Sequence, residues 1–271
     1  MSVKYYTIPP PISLAQYVRF FWVLEGEATP GKPYIHRTLA DGCAEIFFHY
    51  NNTFDEITIA DKIEKSIAAG VSGPCQKFNR YIINKSFGMF GAYIYPYAIP
   101  LFFSMPATEL SNQMPDIKIL GGNNGNALEE RMMLAENNMM RAKILADFLE
   151  KQLAKNTMPQ KAFVAAVNCI IQTKGAVNVN ELAYNYCLST RQFERKFKED
   201  AGFSPKLFSR IIRFQSALSK YGQKNKSLTS IAYDCGYYDQ SHFIHDFKEF
   251  SGYHPRTYFN GHAEGNEWRD A

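Results

Sequence analysis

Short apolar runs between turn residues occupy the first ~105 positions, and helical periodicity takes over after them. Val18–Leu24, Ala44–Tyr50, Ile57–Ala60, Tyr81–Ile83 and Phe87–Tyr95 are strand-length apolar or aromatic runs. They are bounded by Thr29-Pro30-Gly31-Lys32-Pro33, Asp41-Gly42, Asn51-Asn52 and Ser72-Gly73-Pro74. Strands at this spacing predict a small barrel or sandwich. Gly121-Gly122-Asn123-Asn124-Gly125 predicts a loop, and Asn126 with Glu129 matches a capping box. Leu128, Met132, Ala135, Met139, Ala142, Ala146, Leu149 and Leu153 then recur in steps of four and three, which is helical spacing, with Asn137-Asn138 as a point of division. These helices are expected to pack on their own sheet, although the small alanines also permit a dimer seam. Asn156-Thr157-Met158-Pro159 is the natural linker, dividing 1–155 from 156–271.

From Pro159 the chain reads as helical and contains a repeat. Leu182-Ala183-Tyr184, Phe193, Phe197-Lys198-Glu199, Gly202-Phe203 and Pro205 return as Ile231-Ala232-Tyr233, Phe243, Phe247-Lys248-Glu249, Gly252-Tyr253 and Pro255. Each copy has the build of a helix-turn-helix, at about 178–202 and 227–252. In the first, Asn178 and Glu181 bracket a short helix, Cys187-Leu188 forms the turn, Ser189 with Gln192 caps the second helix and Gly202 ends it. In the second, Ser227, Gly236, Asp239 and Gly252 take those roles. The paired phenylalanines fall one turn apart on a buried face. A connecting helix over about Pro205–Tyr221 is ~25 Å long, enough to set two modules on successive major grooves.

Charge sharpens this division. The 271 residues hold 30 Lys+Arg and 26 Asp+Glu, a net of +4. Residues 1–157 balance at 15 basic and 15 acidic, residues 158–260 hold 14 basic and 8 acidic, and the last 11 give back −2. All the positive excess thus lies with the repeat, as expected of a domain that faces a polyanion. The most apolar stretch, Ala92–Met105, contains Pro96 and Pro100 and is too short for a membrane span. The start, MSVKYYTIPPPISLAQYV, lacks the pattern of a secretory signal. The five cysteines, Cys43, Cys75, Cys169, Cys187 and Cys235, show no C-x-x-C spacing and fit buried reduced thiols. A cytoplasmic protein without membrane contact is therefore expected.

ELAYNYCLSTRQFERKFKEDAGFSPKLF at 181–208 and SIAYDCGYYDQSHFIHDFKEFSGYHPRTYF at 230–259 resemble the DNA-binding domain of the AraC/XylS family of bacterial transcription regulators. The resemblance covers 159–259 and implies recognition helices at about Thr190–Ala201 and Asp239–Ser251. It places Arg191, Glu194 and Arg195 in the first module, and Gln240, Ser241, Ile244 and His245 in the second, where family members reach base edges. Arg suits guanine, Glu accepts from cytosine, Gln suits adenine and Ile can touch a thymine methyl. His245 stands where the family often has Arg, which predicts that the second module reads less sequence. Lys196, Lys198, Lys206, Thr229, Lys248 and Arg256 are candidate phosphate contacts, which position without specifying.

PPPISLAQYVRFFWVLEG at 9–26 and HRTLADGCAEIFFHYNN at 36–52 resemble the N-terminal domain of a subset of these regulators, of unassigned function, with Ala40 in place of the usual Pro. The wider family implies a cupin-like sensory barrel followed by dimerising helices. The expected fold class is α+β: a barrel-like N-terminal domain with trailing helices, then two helix-turn-helix motifs joined by a long helix. His36, Glu45 and His49 lack the close H-x-H spacing of a metal site, so no metal is expected, nor any cofactor. Arg37 and Glu45 either pair with each other or, with His49, line an effector pocket. The aromatics of Phe87–Phe103 are expected to be core. No catalytic constellation is visible, and the leading expectation is a transcription regulator that is not an enzyme. Its expected partners are double-stranded DNA, a small-molecule effector, RNA polymerase if it activates, and a second copy of itself. Two alternatives stand beside it: a DNA-repair or adaptive-response enzyme carrying the same reader, and a regulator whose N-terminal domain is purely structural.

Overall fold

The computed structural model of the chain describes residues 2–29, 31–156, 161–220, 226–261 and 263–264. Nine strands come first: β1 (Ser2–Ile8), β2 (Val18–Glu27), β3 (Tyr34–Thr38), β4 (Ala44–Asn51), β5 (Asp55–Ile57), β6 (Ile63–Lys65), β7 (Ala69–Ser72), β8 (Asn79–Ile83) and β9 (Ser86–Ile94). They form two antiparallel sheets, ordered β1-β2-β9-β4-β7 and β3-β8-β5-β6. The domain is therefore an open pair of sheets and not a closed barrel. The expected run Ile57–Ala60 is only partly strand: β5 ends at Ile57, and Ile59 projects from the following turn, 99% exposed.

The large sheet is apolar on both faces, which is why its strands read as continuous runs rather than alternating ones. One row across it, Phe21, Ala92, Ile46 and Val71, together with its neighbour Val23, Phe90, Phe48 and Ala69, packs against helices. The opposite row, Trp22, Gly91, Phe47 and Gly70, faces the small sheet and joins Tyr34, Phe54 and Ile83 in a second core. Gly91 is required there by close approach, since a Cβ would sit 2.4 Å from the Trp22 ring.

The helical half comprises α1 (Ile99–Phe103), α2 (Ala107–Leu110), α3 (Ile117–Leu134), α4 (Asn138–Leu153), α5 (Lys161–Gln172), α6 (Val179–Asn185), α7 (Thr190–Ala201), α8 (Pro205–Leu218), α9 (Leu228–Asp234), α10 (Gln240–Ser251) and α11 (Pro255–Phe259). The glycine-rich loop expected at 121–125 is instead absorbed into α3. That helix starts under an Asp116 cap and kinks at Gly122, whose φ is 51°. Asn126 and Glu129 are thus interior positions and not a cap. Asn137 does cap α4. Buried Arg141 joins α3 to α4: its guanidinium donates to the Met132 and Ala135 carbonyls and lies 3.8 Å over the Tyr50 ring. The expected linker residues Thr157–Pro159 lie outside the described residues, as does Tyr221 beyond the end of α8.

Candidate nucleic-acid interface and adjoining cavity

The two helix-turn-helix modules are α6–α7 and α9–α10. The caps follow the sequence signals: Asn178 opens α6, and Ser189 and Gln192 form a reciprocal capping box on α7. Ser227 opens α9 and Asp239 opens α10. Gly202 and Gly252 close the recognition helices with φ of 82° and 74°, a conformation that L side chains rarely adopt. Phe193, Phe197, Phe243 and Phe247 are fully buried. Each contributes roughly 1.5–3 kcal/mol by burial, so they are the anchors of the recognition helices and do not touch bases.

Arg191, Glu194 and Arg195 are exposed along α7. On α10, Ser241 and His245 are exposed while Gln240 and Ile244 are half-buried. Gln240 is already engaged, because the Thr229 hydroxyl donates to its Oε1 at 2.9 Å. Lys198, Lys206, Lys248 and Arg256 are exposed, and Lys196 is half-buried with its ammonium 5.8 Å from the Phe163 ring. Cys187, in the first turn, is exposed at φ 54°, so the expectation of uniformly buried thiols does not hold there.

The α8 helix fixes the second module. Arg210 donates to buried Asp246 at 2.7 Å and to Glu249 at 2.6 Å, both on α10. Arg213 donates to the Gly236 carbonyl in the turn at 3.2 Å. Among the described residues, His245, Asp246 and Glu249 form the one group with atoms close enough to share a cation. Arg210 already supplies the positive charge there.

Both recognition helices stand on the N-terminal domain by their C-terminal ends. Ser111 donates to the Gly202 carbonyl at 2.8 Å, and Phe78 packs where a Gly252 Cβ would be. The Ala40 N–H donates to the Phe250 carbonyl at 3.1 Å. Arg37 does not pair with Glu45 as one of the expectations had it. Its guanidinium reaches Ser251 O at 2.9 Å and Glu264 at 2.8 Å, between the rings of Phe78 and Tyr253. Arg80 grips the same Glu264 at 2.6 Å. Burial opposes ionisation of Glu264, yet hydrogen bonds from Arg80 and Arg37 hold it below the usual carboxylate range. Arg37 and Glu45 stand in different sheets, on β3 and β4, and the groups that Arg37 does reach come from the far end of the chain.

Between the two sheets lies a cavity of about 310 Å³. Arg37, Glu45 and His49 all line it, with His36, Trp22, Tyr93, Asp41 and Cys43. Gln215 and Leu218, from α8, also line it, so the cavity wall includes the helix that joins the two modules. Gln215 donates to the Ala40 carbonyl at 2.5 Å. Asp41 accepts from the Tyr93 hydroxyl and, at 2.8 Å, from the Cys43 N–H. Burial raises Asp41 to about 6 against these hydrogen bonds, and burial followed by the charge of Asp41 raises Glu45 to about 8. Burial lowers His36 and His49 to about 4, which leaves both imidazoles neutral at pH 7. Of the aromatics expected to be core, Phe87, Phe90, Tyr97 and Phe102 are buried, whereas Tyr93 faces the cavity. Sequence reasoning missed the roles of Asp41, Tyr93, Gln215 and Glu264. The Asp41-Gly42 turn signal was visible, but nothing in local patterning tells a turn acid from a cavity acid.

Two known domain families match separate parts of the chain. Residues 6–116 match a domain of unknown function (DUF6597), and residues 182–261 match a helix-turn-helix domain. The HTH-type transcriptional activator RhaS of Escherichia coli O157:H7 (strain EC4115 / EHEC) is 31% identical over 85 residues, which cover 31% of this chain and 31% of that protein. RhaS of Pectobacterium carotovorum is 30% identical over 81 residues, covering 30% and 29%. The chain thus spans about a third of the length of the curated relatives it matches. Among solved structures, ToxT from Vibrio cholerae aligns over 96% of both chains at 12% identity with a TM-score of 0.47. Unsaturated fatty acid bound ToxT from the same organism covers 88% of this chain and 93% of its own at 12% identity, with a TM-score of 0.48. No described helix is long and apolar enough to cross a membrane. The C-terminal part of the chain thus carries a helix-turn-helix domain of the AraC/XylS type at 182–261, behind a domain of unknown function at 6–116.

Proposed function

We propose that the protein is a sequence-specific DNA-binding transcription regulator controlled by a small molecule in its N-terminal cavity. In this reading residues 1–155 sense and 156–271 bind DNA. The observation that carries it is the pair of capped recognition helices, each docked by its C-terminal end and presenting polar side chains from its N-terminal half. Arg191, Glu194 and Arg195 read bases from α7. Ser241, Ile244 and His245 read from α10, with Gln240 oriented by Thr229. Lys196, Lys198, Lys206, Lys248 and Arg256 hold phosphates, which gives affinity without sequence information. A second copy and RNA polymerase are the further partners this role calls for, and no reacting group is needed.

The test is selection of binding sites from random duplex DNA by the full chain, followed by titration at several salt concentrations. Arg195→Ala is expected to relax preference at defined positions, with about 1–3 kcal/mol less discrimination there. Lys248→Ala is expected to weaken every sequence alike and to reduce the salt slope by about one. Equal behaviour of the two variants on selected and scrambled DNA overturns the assignment of roles. Failure to select any sequence overturns the regulator reading.

A further inference from the structure

The cavity has a composition that restricts what can occupy it. Its acids converge on one residue: Glu45 lies directly across the strand pair from Tyr93, and the Tyr93 hydroxyl donates to Asp41. Glu45 has no hydrogen-bond or ion-pair partner among the described residues, whereas Asp41 accepts from Tyr93 and Cys43. Two arginines line the same cavity, but neither forms an ion pair with these acids, and Arg19 acts on Asp41 only through its charge. Arg37 is turned onto Ser251 and Glu264, and Arg19 stands exposed at the rim, 5.7 Å from the Phe20 and Tyr93 rings. The histidines in the wall are neutral near pH 7.

The remaining wall mixes aromatic rings with aliphatic, sulfur and hydroxyl side chains. Phe20, Trp22 and Phe47 come from the large sheet, and Phe54 and Tyr81 come from the facing side. Faces of aromatic rings carry negative potential, so they attract a cation as the carboxylates do. Trp22, which lines the cavity, is 8% exposed. Two carboxyl groups that no arginine pairs with, set among aromatic faces, suit a ligand that brings a positive charge.

Building on the effector reading above, we propose that this cavity binds a small organic cation, an amine or quaternary ammonium group on a flat apolar body. The charged head lies between Asp41 and Glu45, and the body lies along Trp22 and Phe47. A carboxylate ligand meets two acids there. A neutral polyol can accept hydrogen bonds but leaves the acids uncompensated. Occupancy also bears on the Ala40–Asp41 segment, where Gln215 of α8 is bonded.

The experiment titrates the full chain calorimetrically with phenethylamine and benzyltrimethylammonium, and with 2-phenylethanol, 3-phenylpropanoate and D-xylose as controls. The two cations are expected to bind, with 2-phenylethanol at least about tenfold weaker and 3-phenylpropanoate and D-xylose undetected. Glu45→Gln is expected to weaken both cations about tenfold or more while leaving 2-phenylethanol unchanged, and Asp41→Asn gives an independent second variant. Thermal melts confirm that each variant is folded. Binding of any control as tightly as the cations overturns the proposal. So does no cation binding below about 10 mM, or wild-type cation affinity in both variants. DNA titration of the same preparation separates the two readings: intact DNA binding without cation binding overturns this inference alone, whereas loss of sequence-selective DNA binding overturns the regulator itself.

Discussion

Glu45→Gln should stabilise the protein at alkaline pH and leave it unchanged in acid. In the native state the Glu45 carboxyl titrates at about 8, against an ordinary value of 4.5. A raised native pKa means that the folded protein holds this proton more tightly than the unfolded chain. Stability is then fully present below 4.5, and it is lost as pH rises through the native value. The full gap corresponds to about 5 kcal/mol at ~1.4 kcal/mol per unit. Because the side chain borders a cavity that admits water, about half of that, on the order of 2–3 kcal/mol, is the expected penalty. Glutamine keeps the shape and cannot ionise. For a chain of this size each kcal/mol moves Tm by about 2–4 °C, so the variant should melt about 5–10 °C above wild type at pH 8.5 and together with it at pH 4.5. Asp41, raised to about 6, tilts both proteins in the same sense. His36 and His49, lowered to about 4, act oppositely, since their contribution is present above 6.5 and lost as pH falls through 4. The histidine contributions cancel in the difference between the two melting curves, and that of Asp41 cancels only in part, since its charge acts on Glu45. A difference that is flat from pH 4.5 to 8.5, or a variant that melts lower at 8.5, refutes the claim that Glu45 is held neutral by desolvation.

Three further outcomes test the architecture. Arg37→Met should keep the packing between Phe78 and Tyr253 but lose the bonds to Ser251 and Glu264, costing about 1–3 kcal/mol. Limited proteolysis should then cut the chain between its two halves faster than in wild type, and an unchanged rate would remove Arg37 from the interdomain contact. Gly252→Ala combines a φ of 74° with a Cβ 2.4 Å from the Phe78 ring, so it should destabilise by more than the ~1 kcal/mol of left-handed strain alone, read by denaturant unfolding. Phe197→Ala, at a fully buried position, should cost about 3–5 kcal/mol and abolish DNA binding, whereas Tyr184→Ala, 82% exposed in the same module, should shift stability by less than about 0.5 kcal/mol.

The helix-turn-helix half was legible because each of its determinants is local. Caps at Ser189 and Asp239, glycines at 202 and 252 and phenylalanines one turn apart each act within a few residues, and the repeat states them twice. The sheet half was legible only as strands, since pairing partners such as Tyr93 and Glu45 lie 48 positions apart and no local periodicity joins them. The Gly121–Gly125 stretch misled for a related reason. Glycine and asparagine ordinarily punctuate loops, but here one positive-φ residue, Gly122, kinks the helix without ending it. Of the two arrangements the sequence allowed for Arg37 and Glu45, the pair does not form, because the partners of Arg37, Ser251 and Glu264, come from the far end of the chain.

One short segment links the cavity to the helix-turn-helix half. Between Arg37 and Cys43, one side chain grips the end of α10, one backbone N–H bonds Phe250, one carbonyl receives Gln215 of α8, and one carboxylate faces the cavity. Gly42 packs so closely on Phe208 that a Cβ would lie 2.6 Å from its ring. Closely packed contacts of this kind do not deform gradually, so a shift of the segment has to be taken up by repacking against α8 and α10. Since Arg210 and Arg213 hold the second module to α8, a change at Gln215 is carried to α10 through the same helix. If the proposed ligand favours one position of Asp41, it is expected to bias the spacing of the two recognition helices. By thermodynamic linkage, DNA that requires one spacing must alter the affinity of the cavity by the same factor.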